Sequence, residues 1–161
     1  MSFLPLFRFR VDFHSTSLDD ASSGAAQPIC SGQFSEVSGF EASMDPHTIS
    51  EGGRNWGEIQ RAGRSNFATL VLKRGMTSDR GLWTWFQGVA GGAYAYRLNA
   101  RVVMMGAAEE VNGTGLLRWE FANCLPIKLK AADLSSSSTE IGIEELHLNH
   151  EGMRLMGEGE A

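Results

Sequence analysis

His147 and His150 stand three residues apart, beside Glu144, Glu145 and Glu151. Imidazoles and carboxylates at this density could ligate a transition metal. The local pattern, however, is that of a strand, where residues three apart point to opposite faces. The two are therefore read as strand-end histidines in solvent, not as a metal site. His14 falls on a strand face and His47 in a long polar segment, neither with a visible partner. No Gly-x-Ser-x-Gly elbow presents a serine for nucleophilic attack. Ser35 and Ser38 flank Val37 in a turn-like stretch and suit backbone capping. Gly52-Gly53 is not a phosphate loop, because no Gly-Lys-Ser/Thr follows and no helix begins there. Arg8, Arg10 and Arg97 could form a basic stripe, but interspersed acidic residues favour a solvated or interface face over nucleic-acid readout. Trp83 and Trp85 read as core and interface aromatics. Cys30 and Cys124 lie far apart and outside any Cys-x-x-Cys pattern, so two reduced thiols is the simpler reading, with one disulfide left open. No catalytic residue, metal or cofactor is assigned.

The elements that would carry these side chains belong to one expected domain. The chain has 161 residues, 42% hydrophobic and 20% charged, enough to bury a core without disulfides or metal. A net charge of −5 argues against non-specific binding to nucleic acid or anionic membranes. No apolar run approaches the ~20 residues of a membrane span. Arg8, Arg10 and Asp12 break up the apolar start, so no signal-peptide core is read there and folding in the cytoplasm is expected.

Alternation with a period of two marks a strand over Leu6–His14. Ser15–Gln27 has almost no large apolar residue and reads as a surface insertion. Further strands are expected over Cys30–Val37, from Phe40 through Asp45, over Phe67–Arg74, Leu98–Met105 and Leu117–Phe121, and around Ile127 and Leu129. Between them, 46–66 is a long polar segment without clear periodicity, a length that usually signals function. A turn is expected over Gly106–Gly115 and a serine-rich loop over Leu134–Thr139. Ile141 and Ile143 have the opposite parity to Leu146 and Leu148; a bulge near Glu144-Glu145 would keep all four on the core. The one helix spans Ser78–Ala90, with Thr77 or Ser78 as cap, Asp79 at its positive end and Gly91-Gly92 as its stop. Leu82, Phe86 and Val89 share one face, and Trp83 and Trp85 widen it. Leu82, Trp83, Trp85 and Phe86 should pack the helix on the strands. Seven or eight mostly antiparallel strands and one helix make a mainly β protein, a sandwich or partly open barrel.

Five segments, in order along the chain, carry a resemblance. They are Gln33–Phe40 (QFSEVSGF), Glu51–Arg54 (EGGR), Leu72–Thr77 followed by Leu82-Trp83 and Trp85, Trp119–Lys128 (WEFANCLPIK) and Glu144–Gly152 (EELHLNHEG). Together they resemble the phage-tail tube protein family, the inner tube proteins of contractile tails and extracellular contractile injection systems. The resemblance implies six-membered rings stacked into a hollow tube inside a sheath. It implies partners in the sheath, the baseplate or spike and a tube initiator, with cargo able to pass through the lumen. A tube initiator of the same fold is the alternative. It further implies that 46–66 is an extended hairpin reaching neighbouring subunits. On that reading Glu51, Arg54, Glu58, Arg61 and Arg64 make the inter-subunit contacts, giving register more than raw affinity. The protein would assemble in the cytoplasm and then become part of a tail or a released particle.

Overall fold

The computed structural model describes residues 9–15, 30–32, 34–93, 96–105, 117–134, 136–137 and 140–156. Of the expected Ser15–Gln27 insertion, Ser15 instead closes the first strand and the rest lies outside them, as do the start of that strand before Phe9 and the Gly106–Gly115 turn. Ten strands and one helix follow in order: β1 Phe9–Ser15, β2 Cys30–Gly32, β3 Glu36–Ser38, β4 Ala42–Ile49, β5 Ile59–Phe67, β6 Leu70–Gly75, α1 Gly81–Ala90, β7 Leu98–Met104, β8 Leu117–Lys130, β9 Ile143–Asn149 and β10 Gly152–Met156. Among the described residues the architecture is mainly β, antiparallel, with a single helix.

Strand β8 organises the molecule. It is one 14-residue strand, not the two short pieces that its interrupted alternation suggests. Its first half pairs with β7 on one side and β10 on the other; its second half pairs with β9. The strand order β2-β1-β7-β8-β9-β6-β3 therefore runs through β8. Asn123, at φ 51°, marks the change of partners. Its backbone N–H donates to Asn99 Oδ1 at 3.0 Å and its side-chain amide to Glu151 Oε2 at 2.8 Å, which fixes the bend. A register shift between Pro126 and Lys128 turns Ile127 outward, so Ile127 and Leu129 do not share a face.

The two halves close on one core. Val11, Phe13, Val102 and Phe121 come from one half and Leu70, Leu72, Leu146 and Leu148 from the other, all buried. Each such side chain contributes roughly 1.5–3 kcal/mol of burial free energy. Cys124 is also in this core as a free thiol. Burial pushes it up to about 12, which leaves it a poor nucleophile.

Several expected elements differ. The single strand over Cys30–Val37 is two short ones, β2 on β1 and β3 on β6. The helix starts at Gly81, three residues late. Asp79 accepts the Gly81 N–H at 2.9 Å and Thr77 Oγ1 accepts the Asp79 N–H at 3.2 Å, so both side chains shape the approach and none caps the helix. Its buried face is Leu82, Trp85 and Val89, spaced i, i+3, i+7; Trp83 and Phe86 are half-buried on its flanks. Gly91-Gly92 ends it as expected, with N–H groups bonded to the carbonyls of Gln87 and Val89.

The largest correction concerns β9. Its pairing with β6 is continuous from Ile143 to Leu148, with no bulge near Glu144. Parity is instead obeyed by burying Glu144 and exposing Ile143 at 53% and Ile141 at 80%. The bulge that periodicity asks for lies on β8.

Candidate assembly surface

The segment expected to be an irregular connection is a two-stranded hairpin, β4 on β5, outside the main sheet. It lacks amphipathic alternation because neither face meets a core of its own. Every residue from Ala42 to Thr48 and from Gln60 to Asn66 is exposed. At ~3.4 Å per residue the nine residues of β5 span about 30 Å.

Its root is anchored from both sides. Gly39, at φ 98°, approaches so closely that a Cβ there would lie 2.2 Å from the Thr69 carbonyl oxygen, so no other residue fits. Phe40 stacks edge-on against Trp119 and Phe121, at 5.2 and 5.6 Å between ring centres. Phe67 meets the His150 ring, which in turn meets Phe121. His150 is thus a spacer between the hairpin root and the core, not a strand-end residue in solvent. Its Nδ1 lies 3.1 Å from the Gly152 carbonyl oxygen. Burial holds its pKa below the ordinary histidine value, against the opposing pull of that carbonyl.

A measurable pH dependence follows. The folded state resists a proton that the unfolded chain accepts near pH 6.5. His150 therefore contributes stability that is complete above that pH and is lost as pH falls toward its depressed folded pKa. Urea unfolding at pH 7.5 and 5.5 should show a smaller acid loss in His150→Phe than in the parent chain. Equal losses would assign the acid sensitivity to other groups.

Glu51, Arg54 and Glu58 sit at the hairpin tip. Ser50 Oγ reaches Glu58 Oε1 at 3.3 Å and the Arg54 N–H reaches the Glu51 carbonyl at 3.4 Å, which closes the turn. Arg61 and Arg64 do not join them: they lie along β5 on one face of the hairpin, brought to the same side by the extra residue that β5 carries at Gly63–Arg64 opposite Asp45. Pairing places Ala42, Met44, Pro46, Thr48, Gln60 and Ala62 on one face, and Ser43, Asp45, His47, Ile49, Ile59, Arg61, Arg64 and Asn66 on the other, where Asn66 Nδ2 donates to Asp45 Oδ2 at 2.8 Å. None of the three guanidiniums forms an ion pair with a described residue. Gly63 permits the bulge at Met44–Pro46, where a Cβ would meet the Asp45 carbonyl oxygen at 2.0 Å.

Two polar arrangements escaped the sequence reading. The first is a row of alternating charge across four strands: Asp12, Arg101, Glu120 and Arg154 are successive register partners on β1, β7, β8 and β10. Arg10 Nε donates to Asp12 at 2.8 Å and Arg101 Nε to Glu120 at 3.1 Å. A groove of about 430 Å³ lies along it, lined by His14, Asn99, Arg101, Glu120 and Arg154 rather than by Arg10 and Asp12. The expected basic stripe is thus charge-compensated. Arg97 pairs with Glu151 at 2.8 Å, and Arg8 lies outside the described residues.

The second is a buried network under the helix start. Arg74 Nε donates to Glu144 Oε2 at 3.0 Å, and the Trp83 indole N–H to Glu144 Oε1 at 3.3 Å. The remaining Arg74 nitrogens reach the Asp79 carboxylate and carbonyl. The guanidinium lies 5.9 Å from the Phe34 ring centre. Asp12 and Glu144 each sit at buried strand positions; a carboxylate there, with an arginine at matching depth, is the signal that could have revealed both.

His147 contacts Glu145, whose pKa is lowered chiefly by that hydrogen bond. Glu144 and His150 are engaged elsewhere. Among the described residues, no group of three His, Cys, Asp or Glu is arranged to hold a metal ion.

The model of the T4-like virus tail tube protein gp19 family matches residues 5–154. The chain belongs to that family. It is a tail tube protein, and the family's role is structural. No curated protein sequence matches it. Among solved structures, it is similar to a chain of the anti-feeding prophage baseplate, with 23% identity, TM-score 0.75 and 98% of each chain covered. A chain in the sheath–tube complex of the extracellular contractile injection system PVC is 18% identical, with TM-score 0.73 over 96% of this chain and 91% of that one. Hcp1 from E. coli EAEC 042 is more distant, at 10% identity and TM-score 0.52 over 94% and 92%. The fold of the tail tube protein is therefore shared with tube proteins of contractile injection systems.

Proposed function

We propose that this chain forms six-membered rings that stack into the hollow inner tube of a contractile tail or injection particle. Sheath contraction drives the tube outward, and cargo passes through its lumen. Sheath, baseplate and initiator proteins are its partners, and assembly takes place in the cytoplasm before the particle is complete. The observation that carries this reading, beside the family, is the projecting hairpin. It holds two exposed faces, and three guanidiniums that form no ion pair with a described residue, away from the body of its own chain. Such a surface has no role in a monomer and suits a heterologous contact repeated around a ring or along a stack. Glu51, Arg54, Glu58, Arg61 and Arg64 are assigned to those contacts.

Negative-stain electron microscopy with light scattering tests this directly, with hollow rings or stacked tubes as the expected result. Single rings that never stack would move the chain to the initiator role. A particle count of monomers at every concentration would reject the reading. The double reversal Arg54→Glu/Arg61→Glu should abolish assembly while changing monomer stability by no more than ~0.5 kcal/mol. Unaltered tube length would remove these residues from the interface.

A further inference from the structure

The outer face of β1, β7, β8 and β10 carries side chains in rows that cross the strands in register. Asp12, Arg101, Glu120 and Arg154 form the middle row. On one side of it stand Arg10 and Arg118, both register partners of Val103. On the other side His14 pairs with Asn99, and Ala122 with Gly152. These four lie two residues further along their strands, ~7 Å from the charged row. Outward positions of an antiparallel sheet ordinarily hold polar side chains of some size. Here the third row shrinks to an alanine paired with a glycine. A Cβ on Gly152 would lie 3.8 Å from that of Ala122, an ordinary contact, so packing does not demand the glycine. The result is the trough of about 430 Å³, with Ala122 and Gly152 in its floor and the charged row as its wall. It crosses four strands, ~14 Å at the usual strand spacing. That shape suits an extended chain.

We propose that this trough binds an acidic peptide segment of another protein. Charge complementarity carries the choice. Among its described residues the face sets four arginines against two carboxylates, in a chain whose net charge is −5. Both carboxylates are engaged: Arg10 holds Asp12 at 2.8 Å, and Arg101 holds Glu120 at 3.0 Å. Arg154 is exposed and forms no ion pair with a described residue. It stands on β10 two residues from Gly152, beside the small floor. A guanidinium offers a planar fork that a carboxylate fills with two hydrogen bonds. The small side chains of Ala122 and Gly152 let a peptide main chain approach closely next to that fork. Asp12 and Glu120 discriminate against nucleic acid. A phosphate at every step would meet a carboxylate in the same row, whereas a peptide can alternate acidic side chains with neutral ones. No residue of the trough belongs to the hairpin, so the proposal stands or falls apart from the tube reading.

Fluorescence anisotropy of labelled hexaglutamate, titrated with the full-length chain, tests it, while light scattering of the same solutions follows self-association. The expected result is saturable binding that weakens about tenfold in Arg154→Glu, which removes the fork, and in Ala122→Leu, which fills the floor without touching a charge. Lys130→Glu makes the same change of net charge on the other half of the molecule. At about 0.15 M ionic strength, where charges more than ~8 Å apart are largely screened, it should change affinity by no more than about twofold. All three positions are exposed, so each variant should keep the parental thermal midpoint. If Ala122→Leu lowers that midpoint, Gly152→Ser fills the same floor from β10. Absence of saturable binding, parental affinity in Arg154→Glu or in the floor variant, or an equal loss in Lys130→Glu would each overturn the proposal. So would equal or tighter binding of a labelled oligothymidylate of the same charge, which would make the face a general polyanion surface. Hexaglutamate binding only as the scattered mass falls would mean that a second copy occupies the trough, and would overturn it as well.

Discussion

Glu144→Ala should destabilise the monomer by about 3–5 kcal/mol, because it leaves the Arg74 guanidinium buried with its closest counter-charge removed. Arg74 and Glu144 are 2% and 4% exposed, so water cannot take over the lost contacts. Asp79 remains, but at 3.4 Å from the guanidinium and itself half exposed it is a weaker partner. The Trp83 N–H loses its acceptor as well. The pair itself is a different matter. Desolvation offsets much of the attraction between two buried charges, so replacing both by apolar residues of similar size, Arg74→Met/Glu144→Leu, should cost far less than either single change. Urea unfolding of the parent, Arg74→Met, Glu144→Leu and the double variant in a double-mutant cycle measures this, with Glu144→Ala unfolded beside them. A Glu144→Ala cost below about 1 kcal/mol would show that water or Asp79 compensates. Additive single changes would show that the two residues act independently.

The buried pair also explains where sequence reasoning failed. Periodicity assumes that isoleucine seeks the core and glutamate seeks water. On that assumption Ile141, Ile143, Leu146 and Leu148 require a bulge between the two pairs. Arg74 on the neighbouring strand removes the need, because it makes an inward Glu144 tolerable. Which of two strands carries the partner charge is a tertiary fact and cannot be read along one strand. The same holds for β8, whose alternation breaks at Asn123 and at Pro126–Lys128 because the strand changes partners there. By contrast, β1, β6 and β7 alternate against a single core and were legible from spacing alone. The hairpin over 46–66 was legible only through the resemblance. A strand pair with no core of its own has no hydrophobic period to show, and its pairing appears in the sequence chiefly as Gly52-Gly53 at a turn between polar runs. The members of the candidate surface were named by residue type, but their division between the tip and one face of β5 follows from pairing register and its bulge. His150 was misplaced because its partners, Phe67 and Phe121, are remote in sequence and meet only when the hairpin root folds onto β8.

Trp85→Ala should cost about 3–5 kcal/mol, the range for deleting a buried aromatic and leaving a cavity. The helix is only ten residues long, below the length at which an isolated helix is stable in water. Its existence depends on the face it buries, and Trp85 is the largest side chain on that face. The indole is 3% exposed, its centre is 5.4 Å from that of Phe13, and its N–H donates to the Tyr96 carbonyl at 3.2 Å. One residue thus ties the helix to β1 and to the chain entering β7. Trp85→Phe separates the two contributions. It keeps an aromatic ring against Phe13 but leaves the Tyr96 carbonyl without its donor, so a smaller loss of about 1–3 kcal/mol is expected. Trp83→Ala is the contrasting case. That ring is half-buried, and its removal costs mainly the hydrogen bond to Glu144. Denaturant unfolding should therefore rank the three variants with Trp85→Ala well below the others. A Trp83→Ala loss equal to that of Trp85→Ala would mean that the helix is held by its polar start rather than by its apolar face. In that event the Arg74–Glu144 network, not the Leu82–Trp85–Val89 stripe, would be what holds α1 on the sheet.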